Sequence, residues 1–134
     1  MPQSKFLVIV LTLNEGKHLA RCLESVKALT SDVLVVDSFS TDNSLDIAAL
    51  YGARVRQHHF INQAKQFNWA LTQIEGQPDW ILRIDADEYL PPEGVLELRS
   101  LLENLSVEVS GVLLNRRIVF QGRKLRYGGL GRNY

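Results

Sequence analysis

The chain has 134 residues, of which 46% are hydrophobic and 22% charged, and its 15 Lys plus Arg balance its 15 Asp plus Glu. That is enough chain for one domain with a real core, of ordinary globular composition. The balance excludes a strongly basic or acidic protein, so overall charge names no partner. The distribution is uneven: residues 1–108 carry 15 acids against nine bases, a net of −6, and six bases with no acid follow. Cys22 is the single cysteine, so no disulfide can form within the chain, which agrees with a reducing cytosol. There is no internal repeat.

Lys5–Thr12, "KFLVIVLT", is a continuous apolar run and predicts a strand buried on both faces. It is too short to span a bilayer, and charges follow it at once, against a signal peptide. In "NEGKHLARCLESVKAL" the residues Leu19, Cys22, Leu23 and Val26 recur at helical spacing, which puts Cys22 in the core. Asp32–Asp37 predicts a second buried strand, and "SFSTDNSLDIAALYG" a helix with Ser, Thr, Asp and Asn as capping candidates and Gly52 as its stop. "ARVRQH" is a weaker third strand, and 62–75 a third helix with Ala64, Phe67, Ala70, Leu71 and Ile74 on one side.

"DWILRID" predicts the fourth strand, Pro91 and Pro92 the entry to a fourth helix over "EGVLELRSLLENL", and "GVLLNRRIVF" a fifth strand. Strands alternating with helices predict an α/β fold, with a mostly parallel, doubly wound sheet and helices on both faces. The whole chain, 1–134, is read as one domain.

In such sheets ligands bind outside the carboxyl ends of the strands. There the first strand delivers Thr12, Leu13, Asn14 and Glu15, the second Asp37, and the fourth Asp85, Ala86, Asp87 and Glu88. Asp42 reads as a helix cap. Asp85 and Asp87 lie two apart, and in extended chain that spacing turns both carboxylates to one side. Two hard oxygen donors suit Mg²⁺ or Mn²⁺ with positions left for water and phosphate. No glycine-rich phosphate loop is present, so a bound diphosphate would need the metal to offset its charge. His58 and His59 lack Cys or Glu at ligand spacing, and Trp69 and Trp80 read as core rather than sugar platforms. Few aromatics interleave the basic C-terminal residues, which argues against nucleic acid.

"VIVLTLNEGKHLARCLESV", "VVDSFSTDNSLDIAALYGARV", "NQAKQFNWAL" and "DWILRIDADEYLPPE" together resemble family 2 glycosyltransferases of the GT-A fold. The likeness is greatest to the branch containing bacterial β-glucosyltransferases of lipopolysaccharide core assembly. It implies transfer from a nucleotide-sugar, with UDP-sugar as donor, to a cell-envelope glycan or lipid-linked acceptor, with inversion. Thr12, Leu13, Asn14 and Glu15 would line the uridine pocket, and Asp37 would accept a hydrogen bond from uracil. Lys65 and Asn68 would sit near the nucleotide. Asp85 and Ala86 would lie at the ribose and sugar, Asp85 and Asp87 would serve a divalent cation (Mn²⁺ or Mg²⁺), and Glu88 would support the loop.

The family's acceptor site and general base lie beyond the strand after the metal loop, so the chain reads as the donor-binding portion and the base stays unassigned. The alternative is a binding module that holds the donor without transfer. A phosphorylation-receiver domain is a remote alternative: it would need an acidic pair after the first strand, where Asn14 and Glu15 stand, and an Asp after the third, where Gln57 and His58 stand. The basic residues Arg116, Arg117, Arg123, Lys124, Arg126 and Arg132 suit acceptor phosphates or an anionic membrane surface, and equally the protection of an exposed sheet edge. The expected location is the cytoplasm, with the inner face of the cytoplasmic membrane as an alternative.

Overall fold

The computed structural model describes residues 5–104 and the two short strands 118–120 and 123–125. The elements run β1 (Phe6–Thr12), α1 (Gly16–Val26), β2 (Val33–Asp37), α2 (Ser44–Leu50), β3 (Arg54–Gln57), α3 (Gln63–Leu71), β4 (Trp80–Asp85) and α4 (Pro92–Glu103). β5 (Ile118–Phe120) and β6 (Arg123–Leu125) follow. The chain divides into two compact units, Met1–Ser100 and Leu101–Tyr134, where the sequence reading took one domain.

The first unit holds a four-stranded sheet in the order β3-β2-β1-β4, with every pairing parallel. β1 is central, and β-branched and leucine side chains fill both its faces. Val8 and Val10 point to one side, where they meet Leu19, Cys22, Leu23 and Val26 of α1, Val35 of β2 and Ala48 of α2. Leu7, Ile9 and Leu11 point to the other, with Leu34, Val36 and Ala70 of α3, flanked by Phe67, Trp69 and Ile74. The period of two along the strand thus separates two cores, and helices cover both. The doubly wound α/β fold is as expected from the sequence. Cys22 is fully buried as anticipated, and burial pushes its thiol up to about 12, helped by the charges of Glu88, Asp85 and Asp87 and opposed by Arg21.

Two elements differ from the expectation. α3 stops at Leu71, because Thr72 turns its hydroxyl back onto the Trp69 carbonyl at 2.6 Å and Gly76 follows at φ 81°. Its buried stripe is Gln66 and Ala70 rather than Ala64 and Leu71, which are exposed. The fifth strand, expected over 111–120, is described only at Ile118–Phe120. There it pairs antiparallel with β6 and does not extend the parallel sheet; residues 111–117 lie outside the described residues.

The two buried faces make a direct prediction. Leu19→Ala on one side and Leu7→Ala on the other should each cost about 2–5 kcal/mol in urea unfolding, since both side chains are fully buried. Leu50→Ala, at a position 82% exposed on α2, should stay within about 0.5 kcal/mol.

Candidate functional site

The strand order reverses between β1 and β4, and a cavity of about 210 Å³ opens at their carboxyl ends. Leu11, Thr12, Leu13 and Glu15 line it from β1 and its loop, and Asp85, Ala86 and Asp87 from β4 and its turn. Ser38, Phe60, Gln63 and Gln66 complete the lining. The parallel register explains the convergence: Leu11 lies level with Asp85, and Thr12 level with Asp37.

The acidic turn owes its shape to backbone and helix contacts. β4 ends at Asp85, so Asp87 is not in extended chain and period two does not account for its position. A turn does: the Glu88 amide donates to the Asp85 carbonyl, and Glu88 Oε1 accepts the Asp85 amide, each at 2.9 Å. Ala86, fully packed, carries the ladder one step further by donating to the Leu11 carbonyl at 3.0 Å. Helix α1 holds the turn from behind. Arg21 Nη2 donates to the Asp87 carbonyl at 3.4 Å, with its guanidinium 4.4 Å from the centre of the Tyr89 ring. The Cys22 thiol points at the Asp85 carbonyl at 3.7 Å, and Ser25 Oγ accepts the Leu90 amide at 3.0 Å.

Asp85 and Asp87 both line the cavity, and carboxylate oxygens are the donor type that Mg²⁺ or Mn²⁺ takes. No group of three His, Cys, Asp or Glu side chains suited to a metal occurs among the described residues. Thr12 adds a second sign of a ligand. Its Oγ1 is buried at the cavity wall and has no hydrogen-bond partner among the described residues. Buried hydroxyls are nearly always satisfied, so an orphan in a cavity wall calls for a bound polar group.

Other expected site residues lie elsewhere. Asp37 is fully buried and outside the cavity lining. Its carboxylate accepts from the Ser40 amide (2.9 Å), Ser40 Oγ (2.5 Å) and Gln57 Nε2 (3.2 Å). Asn14 is also outside the lining and ties two loops together. Its amide donates to Ser40 Oγ at 2.8 Å, and its Oδ1 accepts the Thr41 amide at 2.7 Å, with the residue at φ 51°. Asp42, read as a cap, serves two helix starts: it accepts from the amides of Ser44 and Gly16, both at 2.9 Å. Lys65 and Asn68 are exposed on α3 and outside the cavity lining. His58 stacks on Trp69 with centroids 4.2 Å apart, and His59 packs tilted against Phe39 with centroids 4.5 Å apart. Gln63, Gln66 and Phe60 were not read as site residues. The one available signal was a glutamine on the apolar stripe of α3.

Residues 7–132 match Glycosyl transferase family 2, and the chain belongs to that family. It is 38% identical over 89 residues to an uncharacterised glycosyltransferase of Rickettsia prowazekii, covering 66% of this chain and 30% of that protein. The glycosyltransferase SunS of Bacillus subtilis is 29% identical over 104 residues, covering 74% and 24%. The chain therefore spans about a third or less of the length of these curated relatives. Among solved structures, Staphylococcus aureus TarS 1–349 superposes with a TM-score of 0.64 at 29% identity, covering 81% of this chain and 38% of that one. Glucosyl-3-phosphoglycerate synthase of Mycobacterium tuberculosis, solved in complex with UDP, has a TM-score of 0.55 at 23% identity, covering 63% and 34%, and shares the fold.

Two outcomes test the loop assignments. Asn14→Ala should lower stability by about 1–3 kcal/mol in chemical denaturation, from a lost acceptor for the Thr41 amide and an alanine forced into left-handed backbone. The Asp42 carboxyl sits below its ordinary value because the Ser44 hydroxyl, then the Gly16 and Ser44 amides, bind its charged form. A depressed folded-state value gives stability that is present above the unfolded pKa and lost as pH falls through the folded one. Asp42→Asn should therefore flatten the acid limb of the stability curve below about pH 4, read as thermal midpoint against pH.

Proposed function

We propose that this chain is the donor-binding portion of an inverting, metal-assisted glycosyltransferase that takes a UDP-sugar and serves a cell-envelope glycan or lipid-linked acceptor. The observation that carries the reading is the cavity at the β1/β4 reversal, which brings Asp85, Asp87 and the unpartnered Thr12 hydroxyl to one place. Family membership supports it. So do fold neighbours solved with UDP and Mn²⁺, or, for a Pyrobaculum calidifontis mannosyltransferase, with GDP-Man and Mn²⁺.

In this reading Thr12, Leu13 and Glu15 form the wall nearest the nucleoside, and Asn14 and Asp37 keep that wall in place. Asp85 and Asp87 would hold the divalent cation, with Ala86 packed between them. When bound, that cation supplies Lewis-acid stabilisation of the leaving diphosphate. Lys65 and Asn68, on the outer side of α3, would reach the donor only with a shift of that helix or of their side chains. The acceptor hydroxyl needs a base to take its proton. Glu88 is committed to the Asp85 amide and is assigned to the turn. Relation to the lipopolysaccharide-core branch, a cytoplasmic location and contact of the basic C-terminal residues with an anionic membrane face belong to the same proposal. The second reading, donor binding without transfer, is favoured by the same assignment of Glu88.

Calorimetry with UDP and GDP, with Mn²⁺ and again with EDTA, tests this. UDP should bind only with the metal and more tightly than GDP; metal-independent binding, or none, would sink the reading. Asp87→Ala should lower metal-dependent UDP affinity by more than about tenfold and leave the thermal midpoint unchanged, because Asp87 is exposed and outside both cores.

A further inference from the structure

Gln66 is the most deeply buried polar side chain of the cavity wall, and the donor-site reading gives it no role. Its Nε2 lies 3.3 Å from the His58 carbonyl and 3.0 Å from Ser38 Oγ, and its Oε1 lies 2.9 Å from His58 Nδ1. A backbone carbonyl only accepts, so the end of Gln66 that faces it must be the NH₂. The other end is then the carbonyl, and His58 Nδ1 must carry a proton to donate to it. Two further contacts hold His58 in place: its ring stacks on Trp69, and its amide donates to the Asp37 carbonyl at 3.0 Å.

The consequence falls on Ser38. Its oxygen accepts from Gln66, so its own proton points elsewhere, and none of the described residues accepts it. Ser38 lines the cavity together with Thr12, whose buried hydroxyl is also unpartnered.

We propose that His58, Gln66 and Ser38 form a relay that fixes the Ser38 hydroxyl as a donor into the cavity, aimed at an acceptor oxygen of the nucleotide-sugar. Ser38 is the contacting residue, and Gln66 and His58 are positioning residues. The proposal rests on the donor-site reading and adds a recognition group to it. It also explains why a glutamine occupies the apolar stripe of α3. A leucine there would pack as well but leave Ser38 free to turn its proton inward.

Two measurements decide it. The first needs no ligand: nitrogen-15 NMR of the His58 ring at about pH 8, above the ordinary histidine range. The proton should sit on Nδ1. A neutral ring with a bare Nδ1 means Gln66 is reversed and overturns the relay whatever the chain binds. The second is UDP affinity with Mn²⁺ for Ser38→Ala, Gln66→Glu and the double variant. Glutamate has no N–H, so it would accept the Ser38 proton and turn it from the cavity. Each single change should weaken UDP by about fivefold to tenfold, and the pair no more than the worse single.

Bound UDP indifferent to Ser38→Ala, or additive losses, overturns the proposal. No UDP binding by the unaltered chain overturns the donor-site reading and the relay's ligand with it, which is a distinct result. If Gln66→Glu fails to fold, Ser38→Thr decides the matter. It keeps the hydroxyl and should hold affinity within about twofold, and a loss equal to that of Ser38→Ala would count against the relay.

Discussion

The carboxylate of Asp37 is wholly buried at the end of β2, and a buried carboxylate must be met by donors. The rim of the sheet is folded around that demand. Ser40 supplies its amide and hydroxyl, and Gln57, level with Asp37 on β3, supplies its side-chain NH₂. For Ser40 to curl back three residues, Phe39 sits at φ 63°, a left-handed conformation that costs a bulky residue on the order of 1–3 kcal/mol. Ser40 Oγ then accepts the Asn14 amide, and Asn14 Oδ1 accepts from Thr41. One buried group thereby couples the loops after β1 and β2 to the end of β3. These braces adjoin Leu13, Glu15 and Ser38 in the chain, which line the cavity.

The opposite wall is held by different means. The acidic turn after β4 has no buried charge at its centre. It is fixed by the reciprocal contacts of Asp85 and Glu88 and by α1, whose residues Arg21, Cys22 and Ser25 touch Asp87, Tyr89, Asp85 and Leu90 in turn. Ser25 lies three and four positions beyond Cys22 and Arg21, the spacings at which helical side chains are neighbours. The same helix buries Leu19, Leu23 and Val26 against the sheet, so packing of the core and placement of the carboxylates are one event. The cavity spans a wall set by β2 chemistry and a wall set by α1.

Much of this was legible in sequence, for physical reasons. Parallel strands buried on both faces must be continuous apolar runs, and β1, β2 and their helices read that way. The rim was legible because polar residues directly after such runs have nowhere else to go. The roles within the rim were not. A polar residue placed at a strand end by the backbone either faces the cavity or braces a loop, and residue type does not distinguish the two. Asn14 and Asp37, expected at the ligand, tie loops together and lie outside the cavity lining, whereas Thr12 and Asp85 line it. Asp87 was placed at the cavity for the wrong reason, since a turn and not strand alternation brings it there. Gln66 escaped because a glutamine on an apolar face reads as a solvated residue until the buried partner groups are seen.

The two walls differ in what they leave unanswered, and that difference points to the kind of ligand. On the β1/β2 side the neutral hydroxyls of Thr12 and Ser38 have unused hydrogen-bonding capacity, which suits uncharged oxygens such as those of a nucleoside or sugar. On the β4 side acids gather: Asp85 and Asp87 line the cavity and Glu88 closes the turn beside them. An anionic ligand alone would be repelled there. A ligand with a neutral polar half and an anionic half that arrives with a cation satisfies both walls at once. The proposed nucleotide-sugar with its divalent cation has that composition, with the acids Asp85 and Asp87 facing its charged half and the Thr12 and Ser38 hydroxyls its neutral half.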